Sequence, residues 1–503
     1  MTKAVHLLAP VFIAVLLTAL LTSGIWLTAY FVGVKPNIKC ADPKGSDPTA
    51  PKADPGPDCT KECVYELVES MPWGMFPEDG DPVIRFNSTD GAWKRLMDRA
   101  EKHLEITAFY WSLLANDTGD KNFTWDASAQ LGTDVYNQLI EVGKRGVKIG
   151  INQDNSSGLY GGYESEHLVQ LGYAQTRTLN FTRLMGGGVL HTKSWLVDDK
   201  HFYVGSANYD WRSLTQVKEL GIAVYDCPCL AADLKKIFDV YAFMGATPDQ
   251  KVPKEWPADY STAYNSKTPM NVRLGDESVL AYFSSSPPPF VPAGREHDGA
   301  TLARVINNAK QFVYISVMDY APATFYNGND NYYWPLIDDA IRSAAFDRRV
   351  HVRMLISRWR STRSEIYAYL HSLRSLDSEL PCDRFKNRTT HKWECKEGTK
   401  GSIDIKMFEV PKYTVDIAYT RVNHAKYMVT ETTSVICTSN WSADYFINTG
   451  GISFVVQTRE GQSAAKLVDD MRQLHKRDWD SAYATSIDEF TNDGQRINKT
   501  RLF

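Results

Sequence analysis

Two stretches decide the architecture: Trp93–Trp111 (WKRLMDRAEKHLEITAFYW) and Leu302–Tyr320 (LARVINNAKQFVYISVMDY). Each begins with apolar residues at helical spacing and ends in an apolar run, so each reads as an amphipathic helix leading into a strand. Val135–Asn152 repeats helix then strand, and Pro335–Ser357 does so in the second half. Each half continues with a strand carrying a histidine, a second strand and a closing helix, at Leu230–Phe243 and Gln462–His475. Strands alternating with helices, twice over, predict an α/β chain of two repeats, each a mixed sheet flanked by helices and related by a pseudo-twofold axis.

Working outward, residues 62–250 form the first repeat, 251–269 a connecting segment rich in Pro, Lys, Ser and Thr, and 270–503 the second repeat. No charged residue stands between Lys3 and Lys35. The apolar stretch 7–34 is long enough to span a bilayer, where about 20 residues are needed, and reads as a transmembrane signal-anchor behind a short cytosolic tail, 1–6. Residues 35–61 are Pro-rich and read as a stalk. The alternative for 7–34 is a long cleaved signal.

The chain has 503 residues and a net charge of −4, which excludes nucleic-acid binding by bulk positive charge, so any phosphate site must be local. Sequons at Asn87, Asn116, Asn122, Asn155, Asn180, Asn387 and Asn498 are glycosylation candidates and favour a body outside the cytosol. The cysteines agree: Cys59, Cys63, Cys227, Cys229, Cys382 and Cys395 are disulfide candidates, with Cys382 and Cys395 able to close a small loop. Cys437 lies in an apolar run and reads as an unpaired core residue. Together these features describe a single-pass type II membrane protein with a lumenal body.

The chemistry sits at matching places in the repeats. The first has His191-Thr-Lys193, Asp198 and Gly205-Ser-Ala-Asn208; the second has His424-Ala-Lys426, Glu431 and Cys437-Thr-Ser-Asn440. His to acid is seven residues in both, and His to Asn is 17 and 16. On a strand, residues i and i+2 share a face, so each His and Lys can reach one ligand, while the acid at i+7 points away and braces the hairpin. Two such sets brought together hold imidazoles, ammoniums and carboxamides in one pocket. That is a phosphodiester site: one His attacks phosphorus, the other protonates the leaving oxygen and then activates water, while Lys and Asn stabilise the oxyanions. The mechanism requires no metal and no cofactor. Asn440 is formally a sequon, but catalytic use is expected to prevail. Trp211, Trp441 and Tyr445 follow the Asn residues and are candidates for stacking on substrate.

The doubled HxKxxxx(D/E) motif with its downstream Asn resembles the phospholipase D superfamily, over nearly the whole chain. The strings HTKSWLVDDKHFYVGSANYDWRSLTQVKELG and RVNHAKYMVTETTSVICTSNWSADYF are similar to its single-pass endolysosomal branch, the members numbered three and four. The resemblance implies one site built from His191, Lys193, Asn208, His424, Lys426 and Asn440. It also implies that Glu219 matches a family carboxylate that orients an active-site imidazole. Its implied activity is a 5′→3′ exonuclease on single-stranded DNA or RNA in the endolysosomal lumen. The alternatives are a phospholipase D-type lipid hydrolase or transphosphatidylase making bis(monoacylglycero)phosphate, and a catalytically silent membrane glycoprotein. The implied route runs from endoplasmic reticulum and Golgi to endosome and lysosome, with a proteolytically released soluble form and a homodimer as candidate states. Glu431 departs from the motif's Asp, Cys437 stands where the first repeat has Gly205, and the second repeat has no partner to Glu219. The histidines are therefore expected to differ. Glu219 lies in the half of His191, which points to His191 as the nucleophile.

Overall fold

The computed structural model describes residues 62–76, 83–115, 126–155, 162–326 and 331–497. The expected anchor at 7–34 and its tail, the stalk at 35–61 with Cys59, and the sequons at Asn116, Asn122 and Asn498 lie outside the described residues. Among the described residues no helix is long and apolar enough to cross a membrane.

The principal elements of the first half are β1 (Glu62–Ser70), α1 (Thr89–Arg99), β2 (His103–Ala108), α2 (Gln130–Lys144), β3 (Lys148–Asp154), β4 (Ala174–Leu179), β5 (Ser194–Val197), β6 (His201–Gly205), β7 (Glu219–Tyr225) and α3 (Pro228–Met244). Those of the second are β8 (Glu277–Ser286), α4 (Asp298–Asn308), β9 (Phe312–Val317), α5 (Leu336–Arg348), β10 (His351–Ser357), β11 (Ser402–Phe408), β12 (Tyr427–Thr430), β13 (Thr433–Cys437), β14 (Gly451–Gln457) and α6 (Lys466–Asp480). The quoted segments fold as read. Ser88 caps α1 by accepting from the Gly91 N–H, and Trp93, Leu96 and Met97 form its buried stripe. Leu302, Val305 and Ile306 do the same for α4.

Strand order in the first half is β1–β7–β6–β5–β2–β3–β4, with β2, β3 and β4 parallel and the other neighbours antiparallel. The second half repeats it as β8–β14–β13–β12–β9–β10–β11. Each half has its own core between sheet and helices, around Trp93 and Trp195 in one and Ile341 and Met354 in the other. A third core is shared: Phe202, Phe283 and Phe454 meet between the halves, flanked by Leu234 and Phe238 of α3 and Val468 and Met471 of α6. Burial of these large side chains on both sides of the seam fixes the halves against each other.

Disulfides join Cys63 to Cys227 and Cys382 to Cys395. Cys229 is also disulfide-bonded, and Cys437 is free and buried.

Candidate active site

The two HxK segments precede their strands rather than lying within them: β5 starts at Ser194 and β12 at Tyr427. Their backbones pair instead across the seam. Leu190 bridges Gly450 and Lys218 bridges Asn423, both parallel. The His191 N–H donates to Gly450 O at 2.9 Å, and the His424 N–H to Lys218 O at 2.8 Å. Each histidine is thus held by the opposite half, and their rings stand 6.4 Å apart between centroids.

His191, Lys193, His424, Lys426 and Asn440 come together through direct contacts or through Tyr445, and these five and Asn208 are all buried. Lys193 Nζ donates to His191 O, and Lys426 Nζ to His424 O at 2.7 Å. Among the described residues neither ammonium has a carboxylate within ion-pair distance. Burial, then the neighbouring Lys426, pushes the Lys193 ammonium well below its ordinary value. Burial pushes Lys426 down to about 7, against the pull of Glu219 and Asp319. Two buried cationic groups without a counter-ion form a site for an anion. Asn208 makes no side-chain hydrogen bond among the described residues and Asn440 donates to Tyr445 Oη at 3.0 Å, so carboxamide capacity remains for a ligand.

Glu219 corrects the expectation drawn from its position in the chain. Its carboxylate meets Nδ1 of His424, not of His191, at 2.9 and 3.0 Å. The reason is the bridge between Lys218 and Asn423, which lays the start of β7 beside the second half's histidine. Ser206 Oγ donates to the same carboxylate. Burial pushes Glu219 up, but His424, then Lys426 and Ser206, bring it below its ordinary value. Among the described residues His191 Nδ1 meets only the Thr438 carbonyl, at 2.9 Å. Burial pushes the His424 imidazole down to about 4 although Glu219 pulls it up. His191 falls well below its ordinary value through burial, then Lys193, Lys426 and His424.

The motif acids point away from the pocket. The Asp198 carboxylate accepts the backbone N–H groups of Glu101, Lys102 and His103, each at 2.8 Å. Glu431 accepts those of Lys310, Gln311 and Phe312 at 2.7, 3.3 and 3.4 Å. Each acid ties its hairpin to the turn that enters β2 or β9.

Two stacking candidates are corrected. Trp211 and Trp441 are fully buried: Trp211 packs against Gly132 of α2 with Ala129 and Ile417, and Trp441 sits in the second core with Tyr320 and Phe446. Tyr445 does line the site, 5.0 Å from the His191 ring. Sequence reasoning missed Phe109, whose ring lies 5.1 Å from that of His191 and 5.3 Å from Lys193 Nζ, and also Asp319 and the Thr438 carbonyl. A usable signal existed: Phe109 and Asp319 lie just past the carboxyl ends of β2 and β9, where sites in parallel sheets gather. Of the sequons, Asn87 and Asn155 are exposed, Asn180 and Asn387 are half-buried, and Asn440 is buried without room for a glycan.

Paired His-Lys-Asn sets on two sheets of one strand order, closing on a single anion pocket, define a protein of the phospholipase D class. Within it, a family profile described as "PLD3/4, PLD-like domain" matches residues 85–388, and the chain belongs to that family. The chain is 42% identical over 443 residues to the human protein named "5'-3' exonuclease PLD3", covering 87% of this chain and 83% of that one. It is 40% identical to the Xenopus laevis protein of the same name, covering 86% and 83%. It is 42% identical to the Caenorhabditis elegans "Probable phospholipase D F09G2.8", covering 85% and 72%.

Proposed function

We propose that this protein is a 5′→3′ exonuclease that hydrolyses single-stranded DNA or RNA through a phosphohistidine. The observation that carries the reading is the cross-seam pairing that sets two imidazoles 6.4 Å apart above two unpaired buried lysines. The names of the relatives favour nucleic acid as the substrate. So do Phe109 and Tyr445, which flank His191 and offer aromatic faces to bases.

A carbonyl only accepts, so the His191 Nδ1 that meets Thr438 O carries the proton and Nε2 keeps its lone pair. His424 donates its Nδ1–H to Glu219 and likewise presents Nε2. His191, beside two lysines and with only a neutral carbonyl behind it, stays unprotonated and acts as the nucleophile. His424, backed by a carboxylate, is the imidazole that takes up a proton, and the bound phosphate adds to that pull. His191 was the expected nucleophile, but the reason is the opposite of the expected one: Glu219 serves the acid. In the first step a bond forms from His191 Nε2 to phosphorus, the P–O bond breaks and His424 gives its proton to the leaving oxygen. In the second, water gives a proton to His424 and attacks phosphorus, and the P–N bond breaks. Lys193, Lys426, Asn208 and Asn440 hold the equatorial oxygens through both steps.

The test is a single-stranded oligonucleotide labelled at its 3′ end, with phosphatidylglycerol in parallel, at pH 5 and 7. Stepwise shortening from the 5′ end is the expected result. Turnover of the lipid with the oligonucleotide left intact would overturn the reading in favour of lipid chemistry.

We further propose a lumenal, endolysosomal setting. The disulfides and the exposed sequons at Asn87 and Asn155 support an oxidising, glycosylating compartment. Protein made in animal cells should gain mobility after removal of N-linked glycans; unchanged mobility would contradict this.

A further inference from the structure

Lys218 is the last residue before β7 and is fully buried. Unlike Lys193 and Lys426 it has a counter-ion: its Nζ lies 2.7 Å from Asp478 Oδ2, in the last turn of α6. A lysine so neutralised is no ligand for phosphate. The pairing extends further. Arg477 donates from Nε to the other Asp478 oxygen at 2.9 Å and grips both oxygens of Glu69 on β1 at 2.8 Å. All four side chains are buried, two cations against two carboxylates. Glu69 and Lys218 belong to the first half, Arg477 and Asp478 to the second. In the sheet Glu69 faces Leu220, so the line of charges leaves β7 at Lys218 and returns beside it. The main chain is tied across the seam as well: the Lys218 N–H donates to Val422 O at 3.0 Å, and its carbonyl accepts the His424 N–H at 2.8 Å. The next residue, Glu219, carries the carboxylate on His424.

The equivalent place in the second half is Gly450, which precedes β14 and bridges Leu190 as Lys218 bridges Asn423. Gly450 has no side chain to pair, and a Cβ there would lie 2.9 Å from Leu190 Cδ1 and 3.0 Å from Phe181 Cζ. The corresponding reach from α3 is neutral: the Tyr241 hydroxyl donates to Gly451 O at 3.4 Å. The ion pair therefore stands only at the strand start whose next residue holds a carboxylate on a histidine. Burying charges costs desolvation that apolar side chains would avoid, so stability alone is a poor reason for this network. What it supplies is a fixed geometry, and catalytic groups displaced by about 1 Å lose much of their effect. We propose that Lys218 is a positioning residue: its ion pair with Asp478 fixes the start of β7 so that the Glu219 carboxylate stays on His424 Nδ1. The proposal rests on the exonuclease reading, in which His424 gives and takes the proton.

The experiment measures kcat, KM and the pH profile of the full-length protein on a 3′-labelled single-stranded oligonucleotide. The variants are Lys218→Met, Asp478→Asn, Glu219→Gln and Lys218→Met combined with Glu219→Gln. Lys218→Met should lower kcat by about tenfold or more, keep KM within about twofold and move the alkaline limb to lower pH, because His424 loses the carboxylate that holds its proton. Asp478→Asn keeps an acceptor for Lys218 and should move the limb the same way by less. Should the Lys218 variant fail to fold, that shift decides the matter. A residue acting through Glu219 has little left to lose once the carboxylate is gone, so in the Glu219→Gln background Lys218→Met should cost less than about threefold. Equal losses in both backgrounds with an unmoved limb would show Lys218 to be structural and overturn the proposal. Unchanged kinetics in Lys218→Met, or an unmoved limb in Asp478→Asn, would also overturn it while leaving the exonuclease reading standing. No cleavage by the unaltered protein would overturn both.

Discussion

The two halves share a strand order, an HxK segment and a bracing acid, yet they treat their histidines differently. Glu219 opens β7 and supports His424 across the seam. Gly451 opens β14 at the equivalent place beside His191. A Cβ at Gly451 would meet Ser439 Oγ at 2.3 Å and Ser286 Oγ at 2.7 Å, so no carboxylate fits there. Ser284 and Asp298 occupy that side of the second half, joined by a 2.6 Å hydrogen bond. The difference teaches that a doubled backbone can hold its two histidines in undoubled surroundings. One substituted residue at the start of one strand leaves a neutral carbonyl behind His191, the proposed nucleophile, and a carboxylate behind His424, the proposed acid.

The largest expected effect breaks both sides alike. His191→Ala and His424→Ala should each lower kcat on an oligonucleotide by at least about 10³-fold with the fold intact by circular dichroism. Substantial turnover in either would sink the paired mechanism. Glu219→Gln sharpens the comparison, with an expected loss on the order of 10²-fold. Because the carboxylate raises the affinity of His424 for its proton, the amide should move the alkaline limb of the pH profile to lower pH. An unmoved limb would mean that Glu219 only orients the ring. On the other side, Gly451→Ala should cost about 1–3 kcal/mol in urea unfolding through overpacking; a neutral result would show that the space is not closed.

The smallest effects concern the bracing acids. Asp198→Ala should cost about 2 kcal/mol and Glu431→Ala about 1 kcal/mol, because Asp198 makes three short bonds and Glu431 one. Burial pushes Asp198 up, but the three N–H donors and His103 hold it below its ordinary value. Its stabilisation is therefore present above the ordinary carboxylate range and fades as the pH falls through the depressed value. Equal costs measured at pH 5 and at pH 2 would contradict that assignment.

Much of this was legible in the chain. The repeat could be read because helix and strand periodicities recur in the same order. The six pocket residues could be read because His, Lys and Asn interrupt apolar runs at matching offsets. The partner of Glu219 could not be read, since closeness in sequence pointed to His191 while the bridges at Leu190 and Lys218 exchange contacts across the seam. Trp211 and Trp441 looked available because they follow the motif, but their burial is set by Gly132, Tyr320 and Phe446, far away in sequence. Asp319 belongs to no motif. Only its place just past the carboxyl end of β9 marks it.

The division of labour between the histidines can be tested with a nucleotide 4-nitrophenyl phosphodiester, whose leaving group needs no proton. With His424→Ala, the first step should still proceed, giving a burst of nitrophenolate and a phosphoryl label on His191. With His191→Ala there should be no burst and no label. A burst in the His191 variant, with the label on His424, would contradict the assignment.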